Sequence, residues 1–228
     1  MKIYGLQKLS LLDFPDKMSC TVFTGGCNFR CPFCHNSALV DGQRPQIIGE
    51  DAFFDFLKSR VGLLDGVCVT GGEPLLNGDI DVFFKKIKAS GYAVKLDTNG
   101  SFPDLLKALA GQNLIDYVAM DIKNSPENYS KSAGAPCDTD KIKESAAYLM
   151  NGSLPFEFRT TMVKEFNTLK DAEIIGKWLE GGEKYFLQYF RPSENTIMQG
   201  FHPLTDGEMN EALNILKKYI PDTRIRGA

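Results

Sequence analysis

Six short runs of apolar, β-branched and aromatic residues recur along the chain: MSCTVFT (18–24), GVCVT (66–70), YAVKLDT (92–98), DYVAMDI (116–122), FEFRTTM (156–162) and KYFLQYF (184–190). The segments between them carry apolar residues at helical spacing: EDAFFDFLKSR (50–60), DIDVFFKKIKAS (79–90), PDLLKALAG (103–111), DKIKESAAYLM (140–150), DAEIIGKWLE (171–180) and DGEMNEALNILKKY (206–219). Several open on Asp, a residue suited to capping, and Gly91, Gly111 and Gly152 follow C-terminal ends. Alternating strand and helix patterns predict an α/β fold with a parallel sheet. About six βα units can close partly into an open barrel or form a doubly wound sheet, and periodicity alone does not choose. No linker, low-complexity tract or repeat interrupts the pattern, so a single domain over 1–228 is expected.

In either architecture, function gathers at the C-terminal ends of the strands. Four polar or glycine-rich motifs fall there: GGCNFRCPFCHN after the first run, GGEP (71–74) after the second, DTNG (97–100) ending the third and DIK (121–123) ending the fourth.

Charge narrows the partners. With 26 basic against 29 acidic residues and a formal net charge of -3, the chain has no global attraction for a nucleic-acid backbone or an anionic membrane. No stretch approaches the roughly 18 consecutive apolar residues of a membrane span, and MKIYGLQKLSLLDFP does not read as a secretion signal. A cytoplasmic location is expected. At 228 residues and 43% hydrophobic content, a substantial core is within reach.

Cysteine placement narrows the chemistry. Three of the six cysteines, Cys27, Cys31 and Cys34, fall within eight residues, while Cys20, Cys68 and Cys137 stand singly. Without a secretion signal, such a cluster points to metal binding or catalysis rather than to a disulfide framework. Iron and zinc both accept sulfur ligands. A closed zinc site wants a fourth ligand, but His35 directly follows Cys34 and is poorly placed for another tetrahedral vertex. On a cubane cluster, three cysteines leave one iron without a protein ligand and therefore open to another molecule.

Cys-x-x-x-Cys-x-aromatic-Cys after a first strand resembles the radical S-adenosylmethionine (SAM) superfamily, in which SAM chelates the open iron of a 4Fe-4S cluster. By that resemblance, Gly71, Gly72, Glu73 and Pro74 receive the methionine end of SAM, the glycines leaving room for close approach. Asp97, Thr98 and Asn99, with Asp121 and Lys123, line its carboxylate and ribose. In some activating enzymes of this type they act through a monovalent cation, here expected near Asp97 and Asp121. Phe33 takes the place of an aromatic near the adenine. Arg159 and Gln188, on the fifth and sixth runs, are nominated as further cofactor contacts, with an interior polar patch as the alternative. Cys20 and Cys68 read as buried small hydrophobes, and His202 as a loop residue.

From YGLQKLSLLDFP to RIRGA, the chain is similar to activating enzymes of glycyl radical proteins. The likeness, carried by blocks such as LDGVCVTGGEP and especially by LQYFRP and RIRGA, is greater to those serving anaerobic ribonucleotide reductase than to those serving pyruvate formate-lyase. It implies reductive cleavage of SAM to methionine and a 5′-deoxyadenosyl radical, which takes a Cα hydrogen from a glycine of the partner. The scattered remaining cysteines argue against an auxiliary cluster, so a flavodoxin or ferredoxin is the expected electron donor. A pure electron carrier has no need of GGEP, DTNG and DIK. A small-molecule radical SAM enzyme usually spends more chain on lids or extra clusters.

Overall fold

The computed structural model describes residues 1–41 and 45–227. It has an α/β fold with a mostly parallel, open sheet, and eight strands among the described residues follow the order of the chain. Contacts divide the chain into two compact units. One comprises Met1–Asn28, Ala38–Thr98 and Asp104–Val118; the other comprises Phe29–Ser37, Asn99–Pro103 and the residues from Ala119 onward.

In the first unit, β1 (Gly5–Ser10) runs antiparallel to β2 (Ser19–Thr24). A short helix, α1 (Ser37–Val40), begins one residue before this part of the unit and leads to α2 (Glu50–Lys58), β3 (Gly66–Gly71), α3 (Ile80–Ala89), β4 (Ala93–Thr98) and α4 (Pro103–Gly111). Strands β2, β3 and β4 are parallel, with Thr21 opposite Cys68 and Cys68 opposite Lys95. Alternation sends Cys20, Val22, Val67, Val69, Val94 and Leu96 to one face, where each is 0% exposed. The helices supply the other half of this core: Ile80, Phe83, Phe84 and Ile87 of α3 repeat at i, i+3, i+4 and i+7, and Phe53 of α2 meets Phe83 at 5.5 Å. Burial pushes the Cys20 thiol up to about 12, consistent with an inert core residue.

The chain passes between units within β5 (Tyr117–Asp121). The second unit then adds α5 (Tyr129–Ala133), α6 (Thr139–Asn151), β6 (Phe156–Met162), α7 (Leu169–Trp178), β7 (Tyr185–Tyr189), α8 (Asp206–Leu216) and β8 (Thr223–Arg226). Strands β6, β7 and β8 are parallel. Both α7 and α8 start in reciprocal capping boxes, Thr168 with Asp171 and Thr205 with Glu208.

The six expected strands correspond to β2–β7, and the six expected helices to α2, α3, α4, α6, α7 and α8. Strands β1 and β8 were not anticipated. GLQKLS and TRIR carry charged and amide side chains that hide them from an apolar pattern, and each stands at an end of the strand order, where polar residues are tolerated. Among the described residues, no helix is long and apolar enough to cross a membrane.

Asp171 joins this packing to local structure. Its Oδ1 accepts from Ser125 Oγ at 2.6 Å and Asn128 Nδ2 at 2.8 Å, and its Oδ2 accepts from the Thr168 backbone N–H and hydroxyl. Burial alone would raise its carboxyl pKa, but these donors hold it below the usual value. The resulting stabilisation is therefore fully present above about pH 4 and is lost as pH falls through the depressed folded value. Asp171→Ala is expected to cost about 2–3 kcal/mol at neutral pH, with a smaller loss in strong acid. Urea unfolding of the two proteins across pH checks both the size and the trend.

Candidate functional site

In the first unit, two turns at the tips of β2 and β3 are bound to each other. The Gly72 N–H donates to Thr24 O at 3.0 Å and the Glu73 N–H to Gly26 O at 2.8 Å, while Gly26 and Cys27 donate to the carbonyls of Leu39 and Val40. A Cβ on Gly72 would sit 2.0 Å from Gly26 O, and one on Gly71, whose φ is +118°, would sit 2.4 Å from Thr24 backbone atoms. This gives a nearer reason for the glycines than the approach of a cofactor: their own chain leaves no room for a side chain.

Glu73 is 1% exposed. Its Oε1 accepts from the Leu75 N–H at 3.1 Å, capping the 3-10 turn Pro74–Leu76, and from Thr98 Oγ1 at 2.8 Å. GGEP and the end of β4 are thereby locked together. Asp97, on the opposite face of β4 from Thr98, contacts Lys95 Nζ through Oδ1. The Cys68 thiol lies 3.7 Å from the same oxygen. Cys68 is buried as expected, at 0% exposed, but alternation places it with Lys95 and Asp97 rather than with Val67 and Val69.

The second unit holds the rest of the cysteine loop. Arg30 N–H donates to Ala133 O at 2.8 Å and Cys34 N–H to Cys31 O at 2.9 Å, forming a tight turn. Gly134 closes against it, since a Cβ there would lie 2.0 Å from Arg30 O. Residues 191–198 tie to the same loop: His35 Nε2 donates to Arg191 O at 2.6 Å, Ser37 Oγ to Asn195 O at 2.6 Å, and the Met198 N–H to Pro32 O at 2.8 Å. His35 therefore has its Nε2 committed to a carbonyl. Phe33 is 4% exposed, with its ring 5.3 Å from that of Phe166 and 6.5 Å from that of Phe190.

Asp121 closes β5 between two cations, with Arg159 Nε at 2.9 Å and Lys123 Nζ at 3.0 Å. Burial favours its neutral form, but Arg159 and then Lys123 overcome that and hold the carboxyl at about 2. Lys123 also resists its own burial and is shifted upward by Asp121 and Cys31. Burial raises the Cys34 thiol pKa, with Lys123 and the Asn36 N–H opposing. Asn99 forms a local turn, its Oδ1 accepting from the Ser101 N–H and hydroxyl. Gln188 shares a register line with Thr161 and Arg226. His202 is a surface loop residue paired with Glu165.

Two features escaped the sequence reading. The pairing of Lys95 is one, and its single sequence signal is a lysine within the apolar run YAVKLDT. LQYFRP and RIRGA stand apart in the chain, and nothing in their composition signals that they meet. In the fold, Arg191 donates to Gly227 O at 2.8 Å, and Tyr189, Phe190, Arg191 and Gly227 line one open cleft of about 530 Å³; Ala228 lies outside the described residues. Among the described residues, no three or more His, Cys, Asp or Glu side chains are gathered as around an ion, and none of the six cysteines is in a disulfide.

The Radical SAM superfamily model matches residues 21–175. A candidate glycyl-radical enzyme activating enzyme of Methanocaldococcus jannaschii is 32% identical over 98% of this chain and 95% of its own length. The pyruvate formate-lyase-activating enzyme of Listeria monocytogenes is 28% identical over 71% of this chain and 68% of its own. In fold, the chain is similar to Streptococcus suis SuiB bound to S-adenosylmethionine, with a TM-score of 0.69 and 13% identity over 90% of this chain and 49% of that one.

The contact between Gly72 and Gly26 has a direct test. Gly72→Ala is expected to destabilise the protein by about 3 kcal/mol or more, because the backbone on both sides must move. Gly78→Ala, where an added Cβ meets nothing within 4 Å, is expected to be near neutral. Thermal melts of the two variants make the comparison.

Proposed function

We propose that this chain, which belongs to the radical SAM superfamily, is an activating enzyme that installs a glycyl radical on a partner enzyme. The observation that carries this reading is the end-to-end likeness to the M. jannaschii relative, which covers nearly all of both chains. Cys27, Cys31 and Cys34 would hold the 4Fe-4S cluster. The donor set suits such a cluster: three thiols, none of them in a disulfide, lie within eight residues, and the Lys123 ammonium opposes the rise that burial causes in the Cys34 pKa.

When bound, the cluster and SAM supply a one-electron cleavage whose radical product removes hydrogen from the partner's glycine. The chain's own residues position. Glu73, fixed by Thr98 and by the Leu75 N–H, holds the GGEP turn in one conformation. Arg159 and Lys123 keep Asp121 ionised as an acceptor for polar groups of SAM, and Asn99 orders the DTNG turn. Gln188 and Phe33 remain proposed SAM contacts. Phe33 is held in place by Phe166 and Phe190. No general acid or base is needed for such a reaction.

Anaerobic ribonucleotide reductase is the proposed client. LQYFRP and RIRGA, the blocks behind that preference, come together at the Arg191–Gly227 hydrogen bond and line one cleft. Pyruvate formate-lyase is the second reading, favoured by the L. monocytogenes relative. A flavodoxin or ferredoxin is the proposed electron source, since Cys20 lies in the core, Cys68 opposes Lys95, and Cys137 contacts Ser130 at 3.3 Å.

Anaerobic reconstitution of wild type and Cys137→Ala is expected to give about four irons per chain. Cys31→Ala should lose the cluster; iron retained there and lost in Cys137→Ala overturns the ligand assignment. Reduced enzyme with SAM should produce a doublet-type glycyl resonance on an anaerobic ribonucleotide reductase. A signal on the lyase alone selects the second reading, and SAM cleavage without any protein radical removes the activating role.

A further inference from the structure

The resemblance to activating enzymes brings with it a monovalent cation near Asp97 and Asp121, but each of these carboxylates already faces a cation of the protein. Asp121 is held by Arg159 and Lys123. Asp97 is held by Lys95, whose residue is 1% exposed and is among the largest fully buried side chains. Period-two alternation puts Lys95 and Asp97 on one face of β4. The parallel register sets Cys68 opposite Lys95, with the ammonium 3.8 Å from the sulfur.

A buried ammonium is costly unless paired, and here the Asp97 carboxylate supplies the compensation. An alkali ion entering beside Asp97 would meet a like charge already in contact with that carboxylate. It would also face a thiol, a soft donor, where alkali and other hard cations favour oxygen. The residues at Asp97 therefore do not fit an added cation.

We propose that Lys95 is the built-in counter-ion of Asp97, a positioning residue that lets this enzyme bind SAM without a monovalent metal ion. Lys95 acts through Asp97. Its ammonium fixes the direction and charge of the carboxylate, leaving the DTNG turn ordered at any potassium or sodium concentration. The assignment of this turn to SAM rests on the proposed function, whereas the ion pair itself does not.

The experiment uses reconstituted holoenzyme in potassium chloride, sodium chloride or choline chloride at one ionic strength, and follows both melting temperature and SAM affinity. Wild type is expected to agree within about twofold in affinity across the three salts. Lys95→Met removes the ammonium while keeping much of its volume. It should bind SAM about tenfold more tightly in potassium than in choline, and potassium should raise its melting temperature. Lys95→Met combined with Asp97→Asn should lose that preference and keep its cluster.

A saturable potassium dependence in the wild type, or a bound thallium(I) resonance in its thallium NMR spectrum, overturns the proposal. So does a folded Lys95→Met protein indifferent to the cation in both readouts. If Lys95→Met does not fold, the wild-type salt series and thallium spectrum decide. A cation effect on melting without one on SAM affinity supports the ion pair and removes the SAM role of DTNG.

Discussion

The carbonyl of Gly26 is the point on which the cysteine-bearing end of the first unit depends. It accepts the Glu73 N–H and occupies the space in which a side chain on residue 72 would begin. Because the first half of GGCNFRCPFCHN and the GGEP turn share this backbone contact, neither can be positioned independently. Glu73 extends the constraint through Thr98 to the end of β4. Three motifs far apart in sequence are thus built into one hydrogen-bonded framework, in which hydrogen bonds and excluded volume set the geometry.

Charge organises the strand ends in a second way. The carboxylates of Asp97 and Asp121 close successive strands, and each is neutralised by cations from the same or an adjacent strand segment. Asp121, with two such partners, stays ionised far below neutral pH. Fixed, paired charges need little rearrangement when a polar ligand arrives, which is the usual advantage of a preorganised site. The same pairing limits how far the side chains can move to meet an unfamiliar ligand.

Legibility in the sequence followed burial. Strands β2–β7 were visible because apolar side chains dominate them, whereas β1 and β8 owe their existence to pairing at the ends of the strand order and carry residues such as Lys8 and Arg224. The motifs were legible from their spacing, but the reasons for their residues were less so. Gly72 was assigned to a ligand, although backbone packing already demands glycine. Lys95 was passed over because one lysine in an apolar run reads as an exposed position, and the carboxylate that makes its burial tolerable is recognisable only once strand alternation is taken literally. Relations such as Arg191 with Gly227 depend on tertiary closure and leave no local trace.

The hydrogen bonds that residues 191–198 make to His35, Ser37 and Pro32 bear on how this protein changes over evolutionary time. Two of the three use a backbone carbonyl of the later segment, and the third uses its backbone N–H. They therefore survive many side-chain exchanges there while resisting insertions and deletions. Drift in that segment can reshape the cleft that Arg191 and Pro192 line through side chains alone, leaving the backbone bonds to the cysteine loop in place. Changes of length in the same segment carry an immediate penalty at the loop. Diversification among descendants should accordingly be rich in substitution and poor in gaps along this stretch.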